Sequence, residues 1–104
     1  MYTIAQFHRL NKLEHVIITQ HCFRRLIERG ISVMDISNVI DTGEIIEQYP
    51  EDFPFASCLI MGKSFDKVIH ICASIDSGFI YLITAYVPDS ARWQSDFKTR
   101  KEDL

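Results

Sequence analysis

No apolar run in the chain approaches the ~20 residues of a membrane-spanning helix. The N-terminus, Met1-Tyr2-Thr3-Ile4-Ala5-Gln6-Phe7-His8-Arg9, lacks a basic region followed by an apolar stretch, so no secretory leader is expected. There is no Cys-x-x-Cys pair, and Cys22, Cys58 and Cys72 are odd in number, widely spaced and set among apolar neighbours. That usage argues against a disulfide framework and for reduced, buried thiols in a cytoplasmic protein. His8, His15, His21 and His70 have no metal-site spacing, so a structural zinc is not expected; no cofactor is expected either. Positive charge is scarce too: the net charge is −3, whereas a protein gripping a nucleic-acid backbone by bulk attraction is basic. Residues 1–52 carry five basic and eight acidic side chains and residues 53–104 six of each, so any anion site must be local. With 104 residues, 47% of them hydrophobic, the chain is the size of one globular domain.

What is present is concentrated in His21-Cys22-Phe23-Arg24-Arg25-Leu26-Ile27-Glu28-Arg29-Gly30-Ile31. As a helix over about 20–29, capped by Thr19, this run projects His21, Arg25 and Arg29 from one face at four-residue steps. Cys22, Phe23, Leu26 and Ile27 form an apolar stripe for the core, and Gly30 supplies a left-handed turn past the helix end. Thr3 opens an earlier short helix, and Ser32 with Asp35 opens a later one. That later helix turns Met34, Ile36, Val39 and Ile40 inward and stops at Gly43. Val16-Ile17-Ile18 is too short to classify by period.

From Glu44 the pattern becomes strands: Glu44 to Tyr49, Phe55 to Met61 ending at Gly62, Lys67 to Ile75, and Phe79 to Val87 after the Asp76-Ser77-Gly78 turn. Pro88-Asp89-Ser90 ends the sheet and introduces a last helical turn through Trp93, before a polar tail. The expected fold class is α+β: N-terminal helices followed by a four-stranded antiparallel sheet, with helices on one face. Pairing Ile75 with Phe79 sets His70 opposite Thr84, with Tyr86 diagonal to it. His70, Cys72, Leu82, Thr84 and Tyr86 then share an open face. Ile69, Ile71, Ala73, Phe79, Tyr81, Ile83, Ala85 and Val87 take the core face.

Cleavage of RNA by its own 2′-hydroxyl needs a base, an acid and cations on the phosphate. Imidazole performs either proton task near neutral pH, and arginine clamps two phosphate oxygens. His70 and His21 are the candidate acid/base pair, Arg25 and Arg29 the phosphate clamp, and Thr84 or Tyr86 the orienting hydroxyls. The same residues have ordinary uses. His21 fits a solvated helix face, His70 a satisfied histidine at a sheet surface, and Arg25 a partner for Glu28 or Glu14. Arg29 suits a helix C-terminus, and Tyr86 and Trp93 suit packing.

Taken in order, the motifs resemble domain-of-unknown-function family 4258. They are His21-x-x-x-Arg25-x-x-x-Arg29-Gly30-Ile31, Gly43-Glu44-Ile45-Ile46-Glu47-x-Tyr49-Pro50, Ser57-Cys58-Leu59-Ile60-x-Gly62, His70, Ile83-Thr84-Ala85-Tyr86-x-Pro88-Asp89 and Trp93. The resemblance runs from about 18 to 93, with residues 1–15 an N-terminal arm or helix and 94–104 a polar tail of one 1–104 domain. It implies a RelE/ParE-toxin-like fold of the barnase-like ribonuclease group and a metal-independent endoribonuclease-like toxin module of a toxin–antitoxin pair. RNA is then the substrate and a zinc-finger-type antitoxin protein the partner. Carried over residue by residue, the family pattern selects His21, Arg25, Arg29, His70, Thr84 and Tyr86. The rival expectation is a non-catalytic domain of this fold that binds a protein partner or a small anionic ligand.

Overall fold

The computed structural model describes residues 1–102. Helix α1 (Ile4–Leu10) and a single 3-10 turn (Leu13–His15) lead into a short strand, β1 (Val16–Ile18). Helices α2 (Gln20–Glu28) and α3 (Val33–Thr42) follow. The chain then runs through four strands: β2 (Glu44–Tyr49), β3 (Ser57–Ser64), β4 (Lys67–Asp76) and β5 (Phe79–Tyr86). The local signals at the helix ends act as expected. Thr19 Oγ1 accepts the Cys22 N–H at 3.1 Å, and Gly30 turns at φ +67° just past α2. Ser32 and Asp35 exchange reciprocal bonds of 3.0 and 2.8 Å at the start of α3.

The sheet has five strands rather than four, in the order β1-β5-β4-β3-β2. The added member is Val16–Ile18, which lies parallel to β5 with Val16 opposite Ile80 and Ile18 opposite Leu82. Three residues carry no readable period, and their partner lies some sixty positions along the chain. Strands β2 to β5 form an antiparallel meander, and the helices cover one face. Phe7, Leu26, Ile36, Val39, Ile40, Ile60, Ile69, Ile71, Ile80 and Leu82 build the core between them.

The register of the last hairpin differs from expectation in two steps. Ser77 and Gly78, at φ +52° and +81°, form a two-residue turn that closes on Asp76 and Phe79, not on Ile75 and Phe79. A bulge at Ile83 then shifts the pairing, so that Ala73 faces Leu82 but Cys72 faces Thr84. His70 consequently sits opposite Tyr86, not Thr84. The turn's one-residue shift exchanges the two faces of β5 up to Leu82, and the bulge restores the expected outward Thr84 and Tyr86 and inward Ala85. Leu82, expected on the open face, is core, whereas Phe79 and Tyr81 are half-buried on the outer side and Ile83 is 48% exposed. Val87 is exposed as well.

Two further expectations are corrected. The stripe on α2 is narrower than the sequence suggested: Cys22 and Leu26 are buried, but Phe23 and Ile27 face outward, as does Met34 on α3. Gly62 does not end its strand. It lies inside β3, where α3 passes so close that an added Cβ would stand 2.5 Å from the Val39 carbonyl oxygen and 3.0 Å from Gly43 Cα. Asp35 fastens the same helix to β3 by accepting the buried Ser64 hydroxyl at 2.6 Å. The Ser32 backbone N–H and then this Ser64 bond hold the Asp35 carboxyl below its ordinary value.

Because the Gly62 contact is with backbone, it cannot be relieved by a rotamer change. Gly62→Ala is expected to cost about 1–3 kcal/mol in urea unfolding, as overpacking does. Gly78→Ala, which has open space around it, should show only the smaller cost of a left-handed backbone.

Candidate functional site

Strand β1 leaves the sheet at Ile18, and α2 turns alongside the last residues of β5. Between α2 and that stretch lies a hollow of about 320 Å³ lined by His21, Cys22, Arg25, Arg29, Ile83 and Thr84. The helical spacing thus brings His21, Arg25 and Arg29 to one wall, and the β5 bulge brings Thr84 to the other. Arg29 bridges them: its Nη1 donates to the Thr84 hydroxyl at 3.2 Å and to the Ala85 carbonyl at 2.8 Å. That bond answers a carbonyl beyond the reach of β1, and it fixes one end of the guanidinium.

Arg25 and His21 are exposed at the same hollow. The ion pairs among the described residues are Lys67–Asp35, Lys98–Glu44 and Arg100–Glu47, so neither Glu28 nor Glu14 takes Arg25. An unpaired guanidinium beside an anchored one is suited to receiving an oxyanion. Cys22 supplies floor rather than chemistry. Burial pushes its thiol up, against a smaller opposing pull from the Arg29 charge.

His70 and Tyr86 lie elsewhere. The His70 ring is wholly buried on the outer face of the sheet, beneath the C-terminal segment that follows β5. Its Nε2 donates to the Phe97 carbonyl at 2.7 Å, which leaves Nδ1 to accept the Tyr86 hydroxyl at 3.2 Å. Trp93 packs edge-on against the imidazole, with ring centroids 4.5 Å apart, and the Arg100 guanidinium lies over the indole at 4.6 Å. Arg100 also grips Glu47 through two bonds of 2.8 and 3.0 Å, while the Tyr49 hydroxyl donates to the same carboxylate. Burial pushes Glu47 up, but the bonds from Arg100 and Tyr49 outweigh it and leave its pKa below the ordinary value. For His70 burial prevails over the Phe97 bond and lowers the pKa, so the neutral ring is favoured.

The structure therefore gathers His21, Arg25, Arg29 and Thr84 in one hollow and places His70 and Tyr86 in a separate, closed network. The expected polar tail, whose last two residues lie outside the described ones, is in fact a strap. Residues 93–100 fold back through a bridge between Trp93 and Arg100 and lie over His70. Sequence reading missed Glu47, Tyr49 and Arg100 as members of this network. Glu47 and Tyr49 stand in the family motif of the first strand without a role attached, and the Phe97 contact uses a main-chain oxygen that no side-chain motif reveals. Among the described residues, no group of three or more His, Cys, Asp or Glu gathers to hold a metal ion, and no helix is long and apolar enough to cross a membrane.

Residues 18–87 match the family described as a domain of unknown function (DUF4258). The chain belongs to that family. It matches no curated protein and no solved structure. The DUF4258 region contains every residue of the hollow together with His70 and Tyr86. It stops at Val87, short of the Trp93 to which the motifs extended, so the strap lies beyond it.

Stability should report on the buried imidazole. The unfolded chain takes up its proton near pH 6.5, whereas the folded chain resists it. The contribution of His70 is therefore present above about pH 6.5 and is lost as the pH falls below that value toward the lower folded-state pKa. Melting temperatures measured from pH 7.5 to 5 should fall in the parent and fall less steeply in His70→Gln.

Proposed function

We propose that this chain is a toxin-type endoribonuclease-like module of a toxin–antitoxin pair, acting on RNA without a metal at the hollow between α2 and β5. The observation that carries the reading is the meeting of an exposed imidazole, a guanidinium with no ion pair among the described residues and an anchored guanidinium around one cavity of phosphate-accommodating size. Arg25 and the free edge of Arg29 would hold the nonbridging oxygens of a phosphodiester. His21 would take the proton of the adjacent 2′-hydroxyl as its oxygen attacks phosphorus. The bond from phosphorus to the 5′-oxygen then breaks, and that oxygen takes a proton from the His21 imidazolium or from water. The products are a 2′,3′-cyclic phosphate and a 5′-hydroxyl. Thr84 orients Arg29. His70 and Tyr86 support the outer side of the sheet that carries Thr84, so a single imidazole serves both proton transfers.

The RelE/ParE-like fold belongs to the same proposal. It is supported by the order of elements, a short strand and a helix pair leading into a four-stranded meander. The negative net charge argues against bulk attraction to RNA, so capture of the substrate falls to local contacts at the hollow. A zinc-finger-type antitoxin in the same cytoplasmic compartment would be the neutralising partner. Phe23 and Ile27, the latter 64% exposed, offer it apolar surface on the helix that carries the site. The second reading, a non-catalytic domain that binds an anionic ligand at this hollow, is favoured by one observation: the hollow holds one histidine, not two.

Induced expression separates the readings. Catalysis predicts growth arrest with RNA fragments ending in 2′,3′-cyclic phosphate. His21→Ala and Arg25→Ala should each lower cleavage by about a hundredfold or more, and Tyr86→Phe should leave it within a few fold. Intact RNA on expression of a folded protein, with His21→Ala indistinguishable from the parent, overturns the catalytic reading.

A further inference from the structure

We propose that the aromatic cleft formed by Phe53, Phe55 and Tyr81 is a nucleobase subsite for the nucleotide whose phosphate sits in the arginine hollow. The inference rests on the anion-binding part of the reading above and extends it to the neighbouring cavity. That cleft, about 400 Å³, opens on the outer face between β1, the β2–β3 loop and β5. Its walls are the rings of Phe55 and Tyr81, stacked with centroids 6.5 Å apart and planes 26° apart, and Phe53, a residue 95% exposed. Phenylalanine that open to water, next to two further rings, is a ready stacking platform for a planar base.

Three observations tie this cleft to the hollow rather than to an unrelated apolar partner. First, the two cavities share a wall: the bulged Ile83 lines both. Second, they are linked through the chain on either side. Thr19 lines the cleft and His21 the hollow on one side, and Tyr81 and Thr84 do so on the other. Three steps along β5 span roughly 10 Å, a distance comparable with one nucleotide from phosphate to base edge. Third, the charge is divided as a nucleotide requires. The cations are in the hollow, while the charged group in the cleft is Asp52, a carboxylate. Asp52 Oδ2 accepts the buried Ser57 hydroxyl at 2.5 Å, which holds the acid at the cleft as an acceptor for base N–H groups. A carboxylate there would repel a second phosphate, so the cleft suits the uncharged end of the ligand.

Calorimetric titration of the full chain with the four nucleoside 5′-monophosphates and with ribose 5-phosphate tests the assignment. Base stacking should make the nucleotides bind about five- to a hundredfold more tightly than ribose 5-phosphate. Phe53→Ala combined with Tyr81→Leu, which leaves apolar volume in place, should erase that advantage without changing the affinity for ribose 5-phosphate. Arg25→Ala should weaken all five ligands alike. Equal binding of nucleotides and ribose 5-phosphate, unaffected by the aromatic substitutions but lost in Arg25→Ala, overturns the base subsite and leaves the phosphate hollow standing. Absence of binding by all five, or binding indifferent to Arg25→Ala, overturns both.

Discussion

The departure of β1 from the sheet after Ile18 is the constraint on which the site depends. Thr19 must leave extended pairing to cap α2, so β5 keeps a parallel neighbour only as far as Leu82. At the next residue the strand takes up its bulge, and two consequences follow from that one extra position. Thr84 and Tyr86 turn to the outer face, where an unbroken alternation would have pointed them inward after a buried Leu82. The Ala85 carbonyl, beyond the end of β1, is met by a guanidinium from the helix that replaced the strand. Arg29 is thus a structural answer to an interrupted sheet edge, and its remaining donors and those of Arg25 form the wall of a cavity. Function, as proposed, grows out of a repair to the fold.

The outer face is organised by a different principle. A sheet covered on one side by helices leaves the other side to water, and here the chain returns to close part of it. Trp93, carried by the strap, packs on the buried His70, with the Arg100–Glu47 pair as the rim. A neutral imidazole suits that interior because both ring nitrogens are satisfied, one by a carbonyl and the other by a phenol. The aromatic cleft occupies the part of the same face that the strap leaves uncovered, and this division explains why a half-exposed Phe55 and a nearly free Phe53 coexist with a wholly buried His70.

Much of this is legible in the sequence. The capping residues Thr19, Ser32 and Asp35 and the left-handed Gly30 fixed both long helices to within a residue or two. The residue pattern places β2 at its observed bounds and β4 and β5 within one residue of theirs. The helical spacing of His21, Arg25 and Arg29 translated directly into one wall of a hollow. What escaped was non-local. The pairing of Val16–Ile18 depends on a strand far along the chain, and the bulge depends on where that pairing stops. Gly62 looked like a stop signal because a strand glycine and a turn glycine are identical in sequence, whereas its cause is the close passage of α3. The seat of His70 is built partly from a main-chain oxygen at Phe97, so a histidine that looked available in sequence is enclosed in space.

The strap has a built-in optical reporter. Trp93 is the single tryptophan of the chain, and its indole is enclosed between the imidazole of His70 and the guanidinium of Arg100. Indole emission depends on contact with water and with cationic neighbours, so its colour and intensity register whether the C-terminal segment is seated. A single emission spectrum can therefore show the state of the outer face without any introduced label.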